Sequence, residues 1–314
     1  VTDELRDRYD VVVIGGGAAG LNGALVLARA RRTVAVIDAG EPRNAPADGV
    51  QGLLGREGTP PGELLATGRE EVRGYGGHVV DGRVAKADKG DDGFTVALED
   101  GREVAARRLL VATGLTDALP DIPGLAERWG KDVMHCPYCH GWEHRDQAIG
   151  VIGTGPNAVH QATLFRQWTD DLVFFTHTAP ELTAEERERF TARGVRIVEG
   201  EIAAIEPEGA RMQDGTLIER QAYAVATRME ARAGFLAALG LEPVEHPSGA
   251  GQHVPADPMG RTAVDGVWAA GNVTDLMAQV GPAAVAGAQA GALINYDLIE
   301  EETAEAVALH RLGA

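Results

Sequence analysis

The chain has 314 residues, 44% of them hydrophobic, enough for roughly two domains with substantial cores. Its formal charge of −18 creates a long-range field that repels nucleic acid and anionic membranes, so neither is expected as a partner. No run reaches the roughly 18 apolar residues that span a bilayer. The first residues are polar, and only two cysteines are present, so the expected compartment is a reducing cytoplasm.

In chain order, the first recognisable unit is the apolar strand Asp10-Val11-Val12-Val13-Ile14, followed by the turn Gly15-Gly16-Gly17-Ala18-Ala19-Gly20. A helix through Leu21 to Leu27 leads to a second strand, Thr33 to Ile37, which ends at Asp38. Strand, glycine turn, helix, strand and terminal acid within about thirty residues form a dinucleotide fingerprint. The glycines admit a pyrophosphate to the positive end of the helix, and Asp38 is placed to accept from a ribose diol.

Gly82 to Asp100 alternates in a β-like way around a charged turn at residues 88–93. Arg108 to Gly114 reads as a buried strand ending in a glycine turn, and Leu119 to Pro123 as a proline-bearing crossover. A second βαβ pattern starts with the strand Ala148 to Ile152, then Gly153-Thr154-Gly155-Pro156-Asn157-Ala158, then a helix near Val159 to Gln167. Its next strand, Leu172 to Thr176, runs into His177-Thr178-Ala179-Pro180, with no acid for a ribose and no arginine for a 2′-phosphate. This second unit is therefore either a nucleotide site or a Rossmann-like scaffold. Further on come a crossover rich in Pro and Gly at Pro243 to Pro258, a short strand at Gly266 to Asn272, and an Ala-rich helix from Val280 to Ile299.

The two cysteines stand in Val133-Met134-His135-Cys136-Pro137-Tyr138-Cys139-His140-Gly141-Trp142. A Cys-x-x-Cys pair beside a Rossmann-like unit points to redox chemistry. A structural disulfide closing so short a loop removes little unfolded-state entropy. Zinc would need two more ligands, for which His135, His140 and His144 are the candidates; no resident metal is expected. A free thiol titrates near 8.5 and imidazole near 6.5. A neutral His140 beside the pair is therefore a base for incoming thiols, or else it caps a turn. Tyr138 and Trp142 either line a flat apolar pocket or pack inward.

These pieces, in this order, resemble the low-molecular-weight thioredoxin reductases over nearly the whole chain. The resemblance implies an α/β fold of two Rossmann-like nucleotide-binding domains, the second inserted in the first. The FAD domain would be residues 1–117 plus 247–314, and the insert, 118–246, would carry the cysteine pair. It further implies a homodimer and an FAD cofactor. The flavin nucleotide would lie against Gly15, Gly17, Ala18, Ala19 and Gly20, with Asp38, Ala39, Gly40, Arg43 and Asn44 following the second strand. Ala112, Thr113 and Gly114 would close over it, together with Gly271, Asn272, Gln279 and Val280.

The chain departs from that family in four places. The His-Arg-Arg cluster that grips NADPH is replaced by His177-Thr178-Ala179, and the paired glutamates on the following helix by His160 and Gln161. The acid after the second cysteine is His140, and the usual Gly-Asp is Gly271-Asn272. Cys-Pro-Tyr-Cys-His-Gly-Trp, together with Asp38-Ala39-Gly40-Glu41-Pro42-Arg43-Asn44, is similar to a narrower branch. Its members are the flavin-dependent dithiol oxidases of antibiotic biosynthesis that close the disulfide of holomycin and the epidithio bridge of gliotoxin. That branch implies a small-molecule dithiol substrate attacking Cys136, release of Cys139, and electrons passing by way of FAD to oxygen, with hydrogen peroxide as by-product. The alternative is an NAD(P)H-dependent disulfide reductase, whose phosphate grip would come from Arg187 or Arg193, or a ferredoxin-dependent one, a variety that also lacks the arginine cluster. A flavin-binding redox sensor is a third reading.

Overall fold

The computed structural model describes residues 3–313 and divides into two compact units. The first comprises residues 1–45, 61–116 and 229–314, and the second residues 46–60 and 117–228.

In the first unit, β1 (Arg8–Ile14), α1 (Ala18–Arg29) and β2 (Val34–Asp38) form the anticipated βαβ element. α2 (Pro61–Gly74) and β3 (His78–Asp81) follow, then the hairpin β4 (Val84–Gly90) and β5 (Gly93–Leu98), and then β6 (Glu103–Val111). The sheet order is β3-β2-β1-β6-β5-β4. β6 is shared along its length. Its first half pairs antiparallel with β5 (Phe94 opposite Ala106), and its end pairs parallel with the short strand Val267–Ala269.

Successive residues of β1 serve opposite faces, as strand geometry requires. Val12 and Ile14 join one core with Leu109 and Val111; Val11 and Val13 join the other with Leu110 and the helices. Both faces being covered explains why the strand reads as an unbroken apolar run. Truncating Leu109 or Leu110, both fully buried, to alanine should cost about 2–5 kcal/mol.

α1 packs against the long helix Val280–Gly313 at very close range: a Cβ on Gly287 would fall 1.9 Å from the Ala19 carbonyl oxygen. That helix extends well past the Ile299 expected from its apolar pattern. Its continuation is held electrostatically. Glu302 pairs with Arg32 and Arg107, Glu301 with Arg107 and Arg108, and Asp297 with Arg108.

In the second unit the strands Val133–Met134, Ile149–Ile152, Leu172–Phe175, Arg196–Val198 and Ala222–Val225 form one sheet, all neighbours parallel. Phe174 and Val151 face a core closed by the helices Ala158–Phe165 and Ala184–Ala192. Val173, Phe175 and Ile152 face a core closed by an antiparallel three-stranded sheet contributing Ile202, Ile205, Ala210 and Met212. The helix Ala184–Ala192 begins with a capping box, Thr183 and Glu186 bonding each other's backbone N–H.

The chain rejoins the first unit at Met229 rather than at residue 247. The reason is apolar: the 3₁₀ turn Gly234–Leu239 packs on β4, and Ala233, Leu236 and Leu241 are buried in the first unit's core. Residues 46–60 group with the second unit, where Pro46 fills the space over Gly130.

Candidate functional site

Two sets of functional side chains stand out, one in each unit. In the first unit the turn after β1 is a cradle that no larger residue could build. Gly15 has φ +108°, and a Cβ there would lie 2.4 Å from the Ala112 carbonyl oxygen. Gly17 is the N-cap of α1, in extended conformation and without a side-chain cap, and the space beside its Cα is open. The first turn of α1, with Ala18, Ala19 and Gly20, carries no acidic residue. Its N–H groups, uncapped and positively polarised, suit a pyrophosphate.

Asp38 ends β2 and is 9% exposed. The Gly40 N–H donates to its Oδ1 at 3.1 Å, and Arg69 on α2 donates to its Oδ2 at 2.6 Å. Gly16 is required here as well, since a Cβ would meet the Asp38 carboxyl carbon at 2.4 Å. Ala39, Arg43 and Asn44 follow in the loop, where an Arg43 Nη1 donates to the Leu276 carbonyl at 3.5 Å. On β6's far end, Ala112 N–H bonds the Ile14 carbonyl, Thr113 Oγ1 donates to the Arg232 carbonyl at 2.6 Å, and Gly114 has φ +68°. The residues present therefore fit a dinucleotide such as FAD.

Asn272, expected to lie against the flavin nucleotide, has a second occupation. Its Nδ2 donates to the carbonyls of Asp275, Leu276 and Ala278 at 3.0, 3.3 and 2.9 Å. The loop it gathers leads to Gln279 and to Val280, the first residue of the long helix, where the Ala283 N–H bonds the Gln279 carbonyl. An aspartate has no donor for three carbonyls, so the amide is dictated by the loop. Neither this nor the Arg69–Asp38 pair was evident from spacing.

In the second unit Cys136 is the N-cap of a single helical turn, Pro137–His140. Its carbonyl accepts from the Cys139 and His140 N–H groups at 3.3 and 3.2 Å. Both cysteines are half-buried. Burial pushes the His140 imidazole below its ordinary value, opposed by the charge of Glu143. Neither of its ring nitrogens, both buried, has a hydrogen-bond partner among the described residues. His140 is thus held neutral at pH 7, with its nitrogens committed to no turn or carbonyl.

The two nearby histidines are tied up. His135 Nδ1 reaches the Val225 carbonyl at 3.4 Å, and His144 bonds Gln147 and the Lys131 carbonyl at 3.1 and 3.0 Å. Among the described residues no three of His, Cys, Asp and Glu converge as a metal site. Tyr138 and Trp142 remain 63% and 65% exposed, so neither packs into a core. Tyr138 lies edge-on to Trp168, and the Arg145 guanidinium stacks over Trp142 at 4.2 Å.

The second glycine turn keeps its strand geometry, with the Gly153 N–H bonding the Phe175 carbonyl just as Gly15 bonds Ile37. Its helix, however, begins at Ala158, five residues after Gly153, whereas α1 begins three residues after Gly15. Pro156 contributes no N–H. Beyond the strand, His177 has φ +41°, and its Nδ1 accepts from the Ile202 N–H at 3.1 Å. Burial pushes its pKa down as well, so it supplies no cation. Arg187 is paired with Glu199 at 2.7 Å.

Residues 9–292 match the family model described as pyridine nucleotide-disulphide oxidoreductase. Thioredoxin reductase tcpT of Claviceps purpurea is 31% identical over 308 residues, covering 93% of this chain and 95% of its own length. Thioredoxin reductase sirT of Leptosphaeria maculans is 31% identical over 319 residues, covering 94% and 96%. Among solved structures, HlmI superposes with a TM-score of 0.91 at 45% identity, covering 100% of both chains. No described helix is long and apolar enough to cross a membrane. With two Rossmann-type units, a fingerprint cradle in one and a Cys-x-x-Cys in the other, the chain belongs to the pyridine nucleotide-disulphide oxidoreductase family, on its thioredoxin reductase-like side.

Proposed function

We propose that this oxidoreductase is an FAD-dependent dithiol oxidase. It closes an intramolecular disulfide in a small-molecule natural product of the dithiolopyrrolone or epidithio type. The net reaction is substrate dithiol plus oxygen giving substrate disulfide plus hydrogen peroxide. The flavin, when bound, supplies the two-electron acceptor that is reoxidised by oxygen. The glycine turn 15–20, the α1 N-terminus and Asp38 would hold its pyrophosphate and ribose.

The observation that carries the reading is His140, next to Cys139, its pKa pushed down by burial and its two buried ring nitrogens without a partner among the described residues. A neutral imidazole can accept the proton from a substrate thiol as that thiol attacks, acting as a general base near pH 7. The thiolate attacks Cys136 of the Cys136–Cys139 disulfide, forming a mixed disulfide and releasing Cys139 as thiolate. The second substrate thiol, also deprotonated, attacks the mixed disulfide at the substrate's sulfur. The product ring closes and the Cys136 thiolate leaves. Tyr138 and Trp142, more than half exposed, offer apolar faces to a flat substrate.

The second unit's turn supports the same direction. Thr176 stands where the first unit has Asp38, and the neighbouring His177 is neutral and turned to backbone. A nicotinamide dinucleotide would find no carboxylate there for its ribose, and Arg187, one of the two candidate phosphate cations, is already paired with Glu199. The testing experiment is oxygen uptake by the purified holoprotein with dithiothreitol and no pyridine nucleotide. Catalytic uptake with stoichiometric peroxide is expected; uptake only on adding NADPH or NADH would contradict the proposal.

A further inference from the structure

Gln161 lies on the helix Ala158–Phe165 and is 7% exposed. Its Nε2 donates to the His135 carbonyl oxygen at 2.8 Å. Its Oε1 is buried with no partner among the described residues. The amide's orientation follows from chemistry: turning it would set two oxygens against each other. An unpaired buried acceptor costs about 1–3 kcal/mol, a cost that the amide's bond to the His135 carbonyl offsets only in part. What the amide supplies is its grip on His135.

That carbonyl belongs to the residue just before Cys136. On its other side the chain is fixed as the strand Val133–Met134, hydrogen-bonded to Tyr223 and Ala224. The helix bearing Gln161 is itself immobilised by Ala158, Ala162 and Phe165, all fully buried, and the turn Pro137–His140 packs against it. The point where backbone leaves the sheet to begin the cysteine turn is thus tied to a rigid helix through the Gln161 amide.

We propose that Gln161 is the positioning residue of the cysteine pair, fixing the His135 carbonyl and thereby the access of external reagents to the Cys136 sulfur. This deepens the dithiol-oxidase reading by naming what controls the attacked sulfur. Thiol access can be measured whatever the electron acceptor, so the test does not rely on turnover.

The experiment is alkylation of the reduced holoprotein by iodoacetamide, followed at Cys136 and Cys139 separately by peptide mass. Wild type, Gln161→Met and Gln161→Glu are compared across neutral pH, each rate expressed relative to wild type at the same pH. Met keeps the volume and packing without a donor; it should raise the Cys136 rate about threefold or more at every pH, while Cys139 changes less. A buried glutamic acid facing a carbonyl stays protonated well above its ordinary value and can then donate. Gln161→Glu should therefore match wild type near about pH 6 and approach Gln161→Met by about pH 9.

Cys136 rates unchanged in both folded variants across this range would overturn the proposal. If Gln161→Met does not fold, a pH-independent ratio in Gln161→Glu does so alone. Altered alkylation in a protein that never oxidises dithiols would instead leave Gln161's role standing and remove the oxidase reading.

Discussion

The two glycine turns of this chain share strand geometry and open second glycines, and differ in where the helix starts and in what ends the second strand. Both first glycines bond the end of the neighbouring strand. At residues 15–20 the helix begins early, and a buried carboxylate held by Arg69 closes the far side. At residues 153–158 the helix begins late, Pro156 removes a donor, and the strand runs into Thr176 and the inward-turned His177. A glycine fingerprint thus reports how a strand turns into a helix; what the turn binds is decided by the helix start and the second strand's last residue.

The sharpest way to break that contrast is a matched pair of substitutions. Gly17 and Gly155 occupy equivalent positions, and a Cβ at either meets nothing within 4 Å. Gly17→Val should keep the fold but fill the pyrophosphate space, lowering FAD affinity by about a hundredfold or more, read by titrating apoprotein with FAD. Gly155→Val should leave dithiol oxidation unchanged, and a comparable loss there would mean that the second turn binds a nucleotide after all.

Next in size is His140→Ala, expected to slow dithiol turnover by about a hundredfold with flavin retained. Because burial lowers the His140 pKa, the neutral base persists as pH falls. The acid limb of the wild-type profile should lie below the ordinary imidazole value of about 6.5, and a limb above it would argue against His140.

Asn272→Asp should weaken FAD binding about tenfold at neutral pH, with recovery as the acid protonates and regains a donor for the loop carbonyls. Flavin retention measured against pH reads this directly, and a flat profile would remove the loop-holding role.

The smallest effect concerns the long helix. Arg32 and Arg107 hold the Glu302 carboxyl down at about 2 from an ordinary 4.5. A depressed carboxylate contributes stability that is present above its ordinary pKa and lost as pH falls toward its folded value. Glu302→Gln should therefore fray the end of the helix near neutrality, and its difference from wild type should shrink below about pH 4. Glu302 is partly exposed, so the effect is modest.

Much of this was readable beforehand because burial on both sheet faces writes itself as apolar runs: β1, β2, Ile149–Ile152 and Leu172–Phe175 all lie where such runs stand. The long helix extends beyond its apolar pattern because the turn after Ile299 is held by charge, Glu301 and Glu302 pairing with arginines far away in sequence, which periodicity does not show. The helix Ala184–Ala192 went unread because its one buried side chain, Phe190, gives periodicity nothing to detect, although its Thr183–Glu186 capping box is visible in the sequence. The cysteine motif and His140 announced themselves by composition. The tasks of Asn272 and Gln161 did not, since an amide's partners are backbone carbonyls that no spacing rule reveals.

The central claim is that electrons enter from a dithiol and not from a nicotinamide. The direct measurement is the flavin absorbance of the anaerobic holoprotein after adding dithiothreitol, NADPH or NADH separately. Bleaching by the dithiol alone, reversed on admitting air, is the predicted result; rapid bleaching by either nicotinamide would contradict it and make the second turn a working nucleotide site.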